Sequence, residues 1–177
     1  MKFIAYTISL IISFLLGSLY YYHIPLHTKP TAAVAIIQPT KGNQVSGVVR
    51  FTQEKEGIRV VAKLTGLSEG KHGFHVHEYG ECTSVDGMCT GDHFNPTDAP
   101  HGHPDNDFVH VGDLGNIIAN QHGEAHYDAI NKHMTFFGPK CIIGRGLIVH
   151  ADPDDLQTQP TGNSGKRIGC GVIGIAH

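Results

Sequence analysis

The stretch Ile58-Arg59-Val60-Val61-Ala62-Lys63-Leu64-Thr65 has an apolar side chain at every second position. Ile58, Val60, Ala62 and Leu64 form one set, and the set between them includes Arg59 and Lys63. Successive side chains of a β-strand point to opposite faces, so a period of two is typical of a strand with one buried face. The pattern predicts a half-buried strand in a β-sheet protein.

Similar short apolar stretches recur along the chain. They lie at Ala33–Ile37, Val45–Phe51, Gly73–His77, Ala125–Ile130, Met134–Phe137, Gly146–His150 and Gly171–Ala176. Clusters of Gly, Asn, Asp and Pro separate them, as the turns of antiparallel sheets require. We therefore predict an all-β fold of about eight antiparallel strands, arranged as a sandwich or a closed barrel. Two long irregular stretches, Glu78–Val109 and Ala151–Arg167, interrupt the strands, and loops of that length are usually functional.

The composition favours one turn-rich domain with metal or proton chemistry. The 177 residues include 22 Gly and 9 Pro, and only 16% are charged. Lys and Arg number 13 against 16 Asp and Glu, and the absence of a basic run argues against nucleic-acid binding. Histidine, at 14 residues, is several times more frequent than usual, which indicates metal or proton chemistry.

The N-terminal 30 residues differ from the rest of the chain. Lys2 precedes an uncharged run from Phe3 to Tyr22, about the length that spans a bilayer. The tyrosines at its end suit a membrane–water interface, and the position of Lys2 orients the following domain away from the cytoplasm. We predict that residues 1–30 are an export signal or membrane anchor plus linker, with a membrane tether through residues 3–22 as one outcome. Residues 31–177 then form a periplasmic or extracellular domain, and removing Lys2 and Lys29 from the net charge of −3 leaves −5.

The four cysteines agree with export, because an oxidising compartment favours their pairing. They are Cys82, Cys89, Cys141 and Cys170. A zinc-thiolate site is a weak interpretation, since Cys82-x6-Cys89-x3-His93 matches no common zinc-finger spacing.

The chemistry begins at Gly73-Phe74-His75-Val76-His77. Residues two apart on a strand share a face, so His75 and His77 present two imidazoles side by side. Further candidate ligands are His93, His101, His110, Asp113 and His150. Imidazole suits both copper and zinc, and three histidines with one carboxylate suit a tetrahedral zinc.

The chain resembles the copper/zinc superoxide dismutase family in five segments that follow one another in the family's order. These are Gly73–Glu78, Gly91–Pro96, His101–Asn116, Val149–Leu156 and Gly162–Gly174, with weaker similarity from about Thr31 to the end. The resemblance implies an eight-stranded Greek-key barrel or immunoglobulin-like sandwich with two long functional loops. It also implies copper and zinc as cofactors and disproportionation of superoxide to O2 and H2O2.

The resemblance assigns roles by position. It implies copper binding by His75, His77, His93 and His150, and zinc binding by His93, His101, His110 and Asp113, so that His93 bridges the metals as imidazolate. Asp154 would link His75 to His101, Arg167 would be the guanidinium beside copper, and Cys82 would pair with Cys170. His72 would be a structural histidine, and His103 is a weaker ligand candidate than His101. A homodimer would use Gly80, Ile143, Gly144, Val172, Gly174 and Ile175.

The residues themselves favour an enzyme over two other functions. Copper can exchange single electrons, whereas zinc cannot, and Arg167 gives an anion a docking point. A copper-carrying domain of the same fold tends to lack copper ligands or the arginine, and here all are present. An adhesion domain with a structural metal would need neither Arg167 nor a fourth copper ligand. The segment from Asp154 to Arg167 is shorter than in animal and plant members, and Lys166 is its only cation before the arginine.

Overall fold

Antiparallel strands form the regular structure of residues 29–177, the part of the chain that our computed structural model describes. The strands are β1 Ala32–Pro39, β2 Ser46–Gln53, β3 Ile58–Thr65, β4 Gly70–His77, β5 Asp113–Ala119, β6 Ala125–Asn131, β7 Gly146–His150, β8 Arg167–Val172 and β9 Gly174–Ala176. A single 3-10 turn, Met88–Thr90, lies in the loop between β4 and β5. The predicted export segment lies outside the described residues, apart from Lys29 and Pro30 of its linker.

The sheet closes on itself in the order β2-β3-β6-β5-β4-β7-β8-β1, with β1 also paired to β2. Both β8 and β9 pair with β1 in one register, since Gln38 faces Cys170 and Ala32 faces Ala176. They are therefore two halves of one strand, interrupted at Ile173, and the barrel has eight strands. Consecutive strands β3 and β4 are separated by β6 and β5, which is a Greek-key connection. The predicted all-β antiparallel fold is confirmed, and of the two predicted arrangements, sandwich and barrel, the strands form the closed barrel.

Alternating side chains fill the interior of the barrel. In β3, Ile58, Val60, Ala62 and Leu64 are buried, while Arg59 and Lys63 are exposed, as the sequence pattern predicts. Phe51 and Phe74 are among the largest side chains that are fully buried. The rings of Phe74 and Tyr127 pack edge to face, with their centroids 5.5 Å apart. Burial of this apolar face is the main contribution to the stability of the barrel.

Two elements differ from the sequence prediction. Met134–Phe137 is not a strand; Met134 and Phe136 are buried, but the backbone turns because the amide of Met134 donates to Asn131 Oδ1 at 2.9 Å. The strand that the prediction omitted is β5. Its first residues, Asp113-Leu114-Gly115-Asn116, do not show the alternation of apolar and polar side chains. The predicted number of strands is right, although one member was misplaced.

The outer face of β4 and β7 is covered rather than exposed. All five residues of β7 are buried, as are the last six of β4. The segment between β4 and β5 and the one between β7 and β8 lie over this face; for example, the amide of Gly73 donates to the carbonyl of Asp152 in the second segment. Among residues 29–177, the structure contains no helix with the length and apolarity needed to cross a bilayer.

Candidate metal centre

Four neighbouring elements place histidines and carboxylates under the covering loops. His75 and His77 lie two residues apart on β4, which has β5 on one side and β7 on the other. Asp113, the first residue of β5, pairs with His75 in the sheet, and His150 ends β7. His93 reaches the same face from the loop, through an isolated antiparallel bridge with His77. The barrel register therefore brings together residues that are far apart in sequence.

The first cluster consists of His75, His77, His93 and His150, all of which are buried. One nitrogen from each ring lies within 4.8 Å of the others. In three of these rings the other nitrogen donates a hydrogen bond. His75 Nε2 donates to Asp154 Oδ2 at 2.8 Å. His77 Nδ1 donates to the carbonyl of Gly91 at 2.9 Å, and His150 Nδ1 donates to the carbonyl of Gly165 at 3.3 Å. Such bonds fix the tautomer and the ring orientation.

The second cluster surrounds Asp113, which is fully buried. Its carboxylate lies 2.8 Å from His93 Nδ1, 3.0 Å from His101 Nδ1 and 3.4 Å from His110 Nδ1. His93 is therefore shared: its Nδ1 faces this cluster and its Nε2 faces the first.

The carboxylate of Asp154 joins the two clusters. Its Oδ2 accepts from His75, and its Oδ1 accepts from His101 Nε2 at 2.9 Å. Gly162 allows this approach: it has a φ of 65°, and a Cβ there would collide with the carboxylate and lie 2.6 Å from His101 Nε2. Asp154 is held in turn by Asn116, whose Oδ1 accepts from the Asp154 amide at 2.8 Å.

Burial and the carboxylates separate the charge states of the histidines. Burial lowers the pKa of His77 and His150 well below its ordinary value, and burial together with the neighbouring His75 lowers that of His93 to about 3. Burial opposes protonation of His101 as well, but the nearby Asp113 carboxylate and the hydrogen bond to Asp154 outweigh it and raise its pKa to about 9. The first cluster therefore presents neutral imidazoles, the form that binds a metal.

The donor set fits two metal ions. Six buried ring nitrogens have no hydrogen-bond partner in the described part of the chain: His75 Nδ1, His77 Nε2, His93 Nε2, His101 Nδ1, His110 Nδ1 and His150 Nε2. Buried polar groups are normally satisfied, so six such atoms converging in two groups need an explanation. Imidazoles alone suit copper or zinc, and three imidazoles with one carboxylate suit zinc.

Arg167 begins β8 and pairs with His150 across the sheet. Its Nη1 donates to the carbonyl of Gly87 at 3.0 Å and to Thr90 Oγ1 at 2.9 Å. The disulfide Cys82–Cys170, with a Cα–Cα distance of 5.8 Å, ties the same loop to the same strand. Cys89 and Cys141 are free. Sequence analysis did not single out Thr90, because nothing in the local pattern relates it to a residue 77 positions away.

A depression of about 430 Å³ lies beside Arg167. Its lining includes Lys166 and Lys41, the latter on the turn between β1 and β2. The amide of Lys41 donates to the carbonyl of Val85 at 2.8 Å, which fixes this turn to the loop after β4. Lys41 is thus a cation near Arg167 that belongs to neither long loop, and the sequence analysis missed it.

The other two histidines discussed above lie outside both clusters. His72 is buried, and its Nδ1 lies 2.9 Å from the carbonyl of His150, which agrees with a structural role. The side chain of His103 is 51% exposed and lies beside Asp105.

Comparison with known proteins decides the family. Residues 45–173 match the family model described as copper/zinc superoxide dismutase (SODC). The chain belongs to the copper/zinc superoxide dismutase family. It is 42% identical over 158 residues to an extracellular Cu-Zn superoxide dismutase of Brugia pahangi, covering 84% of this chain and 78% of that protein. It is also 42% identical over 156 residues to a Cu-Zn superoxide dismutase of Onchocerca volvulus, covering 82% and 96%.

Two further comparisons agree with this superoxide dismutase assignment. A Cu-Zn superoxide dismutase of Paramecium bursaria Chlorella virus 1 is 46% identical over 158 residues, covering 84% of this chain and 81% of that one. A crystal structure of the clock protein EA4 superposes with a TM-score of 0.77 at 39% identity, covering 84% and 97%. The protein disproportionates superoxide to O2 and H2O2 and uses copper and zinc, and a non-enzymatic copper-carrying role is not favoured.

Proposed function

We propose that the first cluster holds the copper of this superoxide dismutase and that the second holds the zinc. The all-imidazole set His75, His77, His93 and His150 suits the redox metal, and the carboxylate of Asp113 suits zinc in the other set. The observation that carries this proposal is the shared ring of His93, which presents one nitrogen to each cluster.

The protein's own groups orient the site and move a proton. Copper, when bound, accepts and returns single electrons, which zinc cannot do. His93 Nε2, which has no partner among the described residues, takes up one of the two protons that formation of H2O2 consumes and releases it to the product. The second proton comes from solvent. Asp154 keeps the rings of His75 and His101 in place from behind.

Arg167 attracts and docks superoxide beside the first cluster. Its guanidinium is permanently charged, and it lies opposite His150 on the neighbouring strand. Nη1 donates to the Gly87 carbonyl and to Thr90 Oγ1, which leaves Nε and Nη2 for the anion. The domain as a whole carries negative charge, so a local cation is needed to bring superoxide in.

A matched pair of variants tests the metal assignment. His150 belongs only to the first cluster and His110 only to the second, and both are buried. We expect His150→Ala to lose copper and retain zinc, and His110→Ala to lose zinc and retain copper. The measurement is the metal content of the purified protein, together with the copper absorption spectrum and superoxide consumption. The opposite pattern of losses would reverse the assignment.

We propose that the protein is exported and that residues 3–22 are either a cleaved signal or a membrane tether. An extracellular relative in Brugia pahangi and the disulfide Cys82–Cys170 support export. Sequencing the mature N-terminus and fractionating the full-length protein with and without detergent distinguish the two outcomes. A mature N-terminus beyond Tyr22 indicates a cleaved signal, and detergent-dependent extraction indicates a tether.

We also propose a homodimer. Val172 and Ile175, which the resemblance places at the interface, are 44% and 63% exposed, and Ile36 on the neighbouring strand is 54% exposed. Exposed apolar side chains on adjacent strands favour self-association. We expect light scattering at micromolar concentration to give the mass of a dimer, and Ile175→Arg to give that of a monomer. Ile118→Arg, at an exposed position on β5, is the control and leaves the dimer intact.

A further inference from the structure

Thr90 occupies an unusual position for a loop residue. It ends the 3-10 turn, has no exposed surface and lies 77 positions from Arg167. Its hydroxyl donates to the carbonyl of Gly87 at 2.9 Å and accepts from Arg167 Nη1 at 2.9 Å. The same carbonyl accepts from Nη1 at 3.0 Å. The hydroxyl, the carbonyl and the guanidinium nitrogen therefore form a closed triangle of hydrogen bonds.

We infer that Thr90 is a positioning residue for Arg167: its hydroxyl fixes the rotation of the guanidinium so that Nε and Nη2 face the incoming anion. This inference rests on the proposed role of Arg167. An arginine side chain has several freely rotating bonds, and a single acceptor would leave the guanidinium free to turn about one hydrogen bond. A second acceptor on the same nitrogen restricts this rotation, because each hydrogen bond weakens as its angle departs from linear.

The backbone at Gly87 is adapted to the same arrangement. Gly87 has a φ of 74°, and a Cβ there would lie 3.4 Å from Arg167 Cβ and 3.6 Å from its Cδ. The turn therefore runs close along the aliphatic part of Arg167 and brings the carbonyl to Nη1. Thr40 holds the other end of the residue, because its hydroxyl donates to the main-chain carbonyl of Arg167 at 2.8 Å. Of these contacts, only those of Gly87 and Thr90 reach the guanidinium.

Thr90 also packs through its methyl group, and this role must be separated from that of the hydroxyl. A Cβ on Gly146 of β7 would lie 2.9 Å from Thr90 Cγ2, so the methyl group fills the space beside that glycine. Thr90→Val retains this methyl and removes the hydroxyl. Thr90→Ser retains the hydroxyl and removes the methyl. The two variants therefore distinguish orientation of Arg167 from packing of the loop.

The test measures the second-order rate of superoxide consumption per bound copper, over a range of salt concentrations, in the full-length metal-loaded protein. We expect Thr90→Val to lower this rate roughly three- to ten-fold, since misplacing a group that orients the substrate is costly. Because the charge of Arg167 remains, the salt dependence should persist. Thr90→Ser should be close to the wild type. Arg167→Met, run in parallel, should lower the rate and weaken the salt dependence.

The outcomes separate this inference from the proposed role of Arg167. An unchanged Arg167→Met variant would refute that role itself. The inference about Thr90 alone would be overturned by either of two results. One is a slow Arg167→Met variant with an unchanged Thr90→Val variant, and the other is an equal loss of rate in Thr90→Val and Thr90→Ser.

A second measurement, NMR of the wild-type protein in its copper(I) form, does not depend on any variant folding. Slow rotation of the Arg167 guanidinium about its Cζ–Nη1 bond is expected, and freely averaged Nη signals would contradict the triangle.

Discussion

His75 and His101, which belong to different clusters, donate to opposite oxygens of the same carboxylate, Asp154, at 2.8 and 2.9 Å. A change in the orientation of one ring is therefore transmitted to the other through a single buried group. Hydrogen bonds outweigh burial and hold the pKa of Asp154 below its usual range, so the group is a carboxylate that can accept from both rings.

Asp154→Asn should weaken metal retention at both sites. The amide can accept at only one atom, so one of the two rings loses its partner. Loss of such a partner typically lowers metal affinity 10- to 100-fold. The measurement is the rate of copper and zinc loss to a chelator. Asp155→Asn, at an exposed neighbour that contacts Thr158, is the control. Equal retention in both variants would contradict the linking role of Asp154.

His93→Ala should disturb both metals, whereas Asp113→Ala should mainly lower zinc. The reason is that His93 has a nitrogen in each cluster, while Asp113 is a candidate ligand in the second cluster only. Metal analysis and the copper absorption spectrum of the two purified variants provide the comparison. An unchanged copper spectrum in His93→Ala would exclude a shared ring.

Lys41→Glu should slow superoxide consumption at low salt, roughly two- to five-fold, because Lys41 lines the depression beside Arg167 and steering depends on local charge. Arg167→Glu, which acts at the docking point itself, should lower the rate roughly ten-fold or more while copper remains bound. Both effects should shrink as salt shortens the Debye length.

The control for Lys41 is Lys55→Glu, which changes the net charge equally but lies in the turn between β2 and β3, at the opposite end of the β1–β2 pair. Rates are measured by rapid kinetics at several ionic strengths. If Lys41→Glu and Lys55→Glu slow the reaction to the same extent, the overall charge controls the rate and the location of Lys41 does not matter.

Replacing Cys82 and Cys170 together by Ser should lower the free energy of unfolding by about 4–5 kcal/mol, because the disulfide closes a span of 88 residues. Urea unfolding of the metal-free protein measures this value. Cys89→Ser and Cys141→Ser remove free thiols and should leave stability within about 1 kcal/mol. A similar loss in Cys89→Ser would indicate that Cys89 takes part in the disulfide.

Sequence periodicity predicted the strands and the all-β class because burial of one strand face produces a local signal, but it did not distinguish a sandwich from a barrel. The alternation in Ile58–Thr65 predicted its burial pattern, and the spacing of His75 and His77 placed both rings on one face. The signal failed where local hydrogen bonds or polar residues overrode it. Met134 and Phe136 are buried in a turn, and β5 opens with the polar residues of a metal motif.

The sequence by itself determined the strand-forming pattern, the family and the side chains available as ligands, because all of these are carried by residue type and short-range spacing. Only the tertiary structure decided which groups meet. The barrel register sets Asp113 opposite His75, and the loop after β4 brings Thr90 to Arg167 and Val85 to Lys41. Such contacts join residues tens of positions apart, and their distances depend on how the sheet closes and where its loops cross, which no local pattern records.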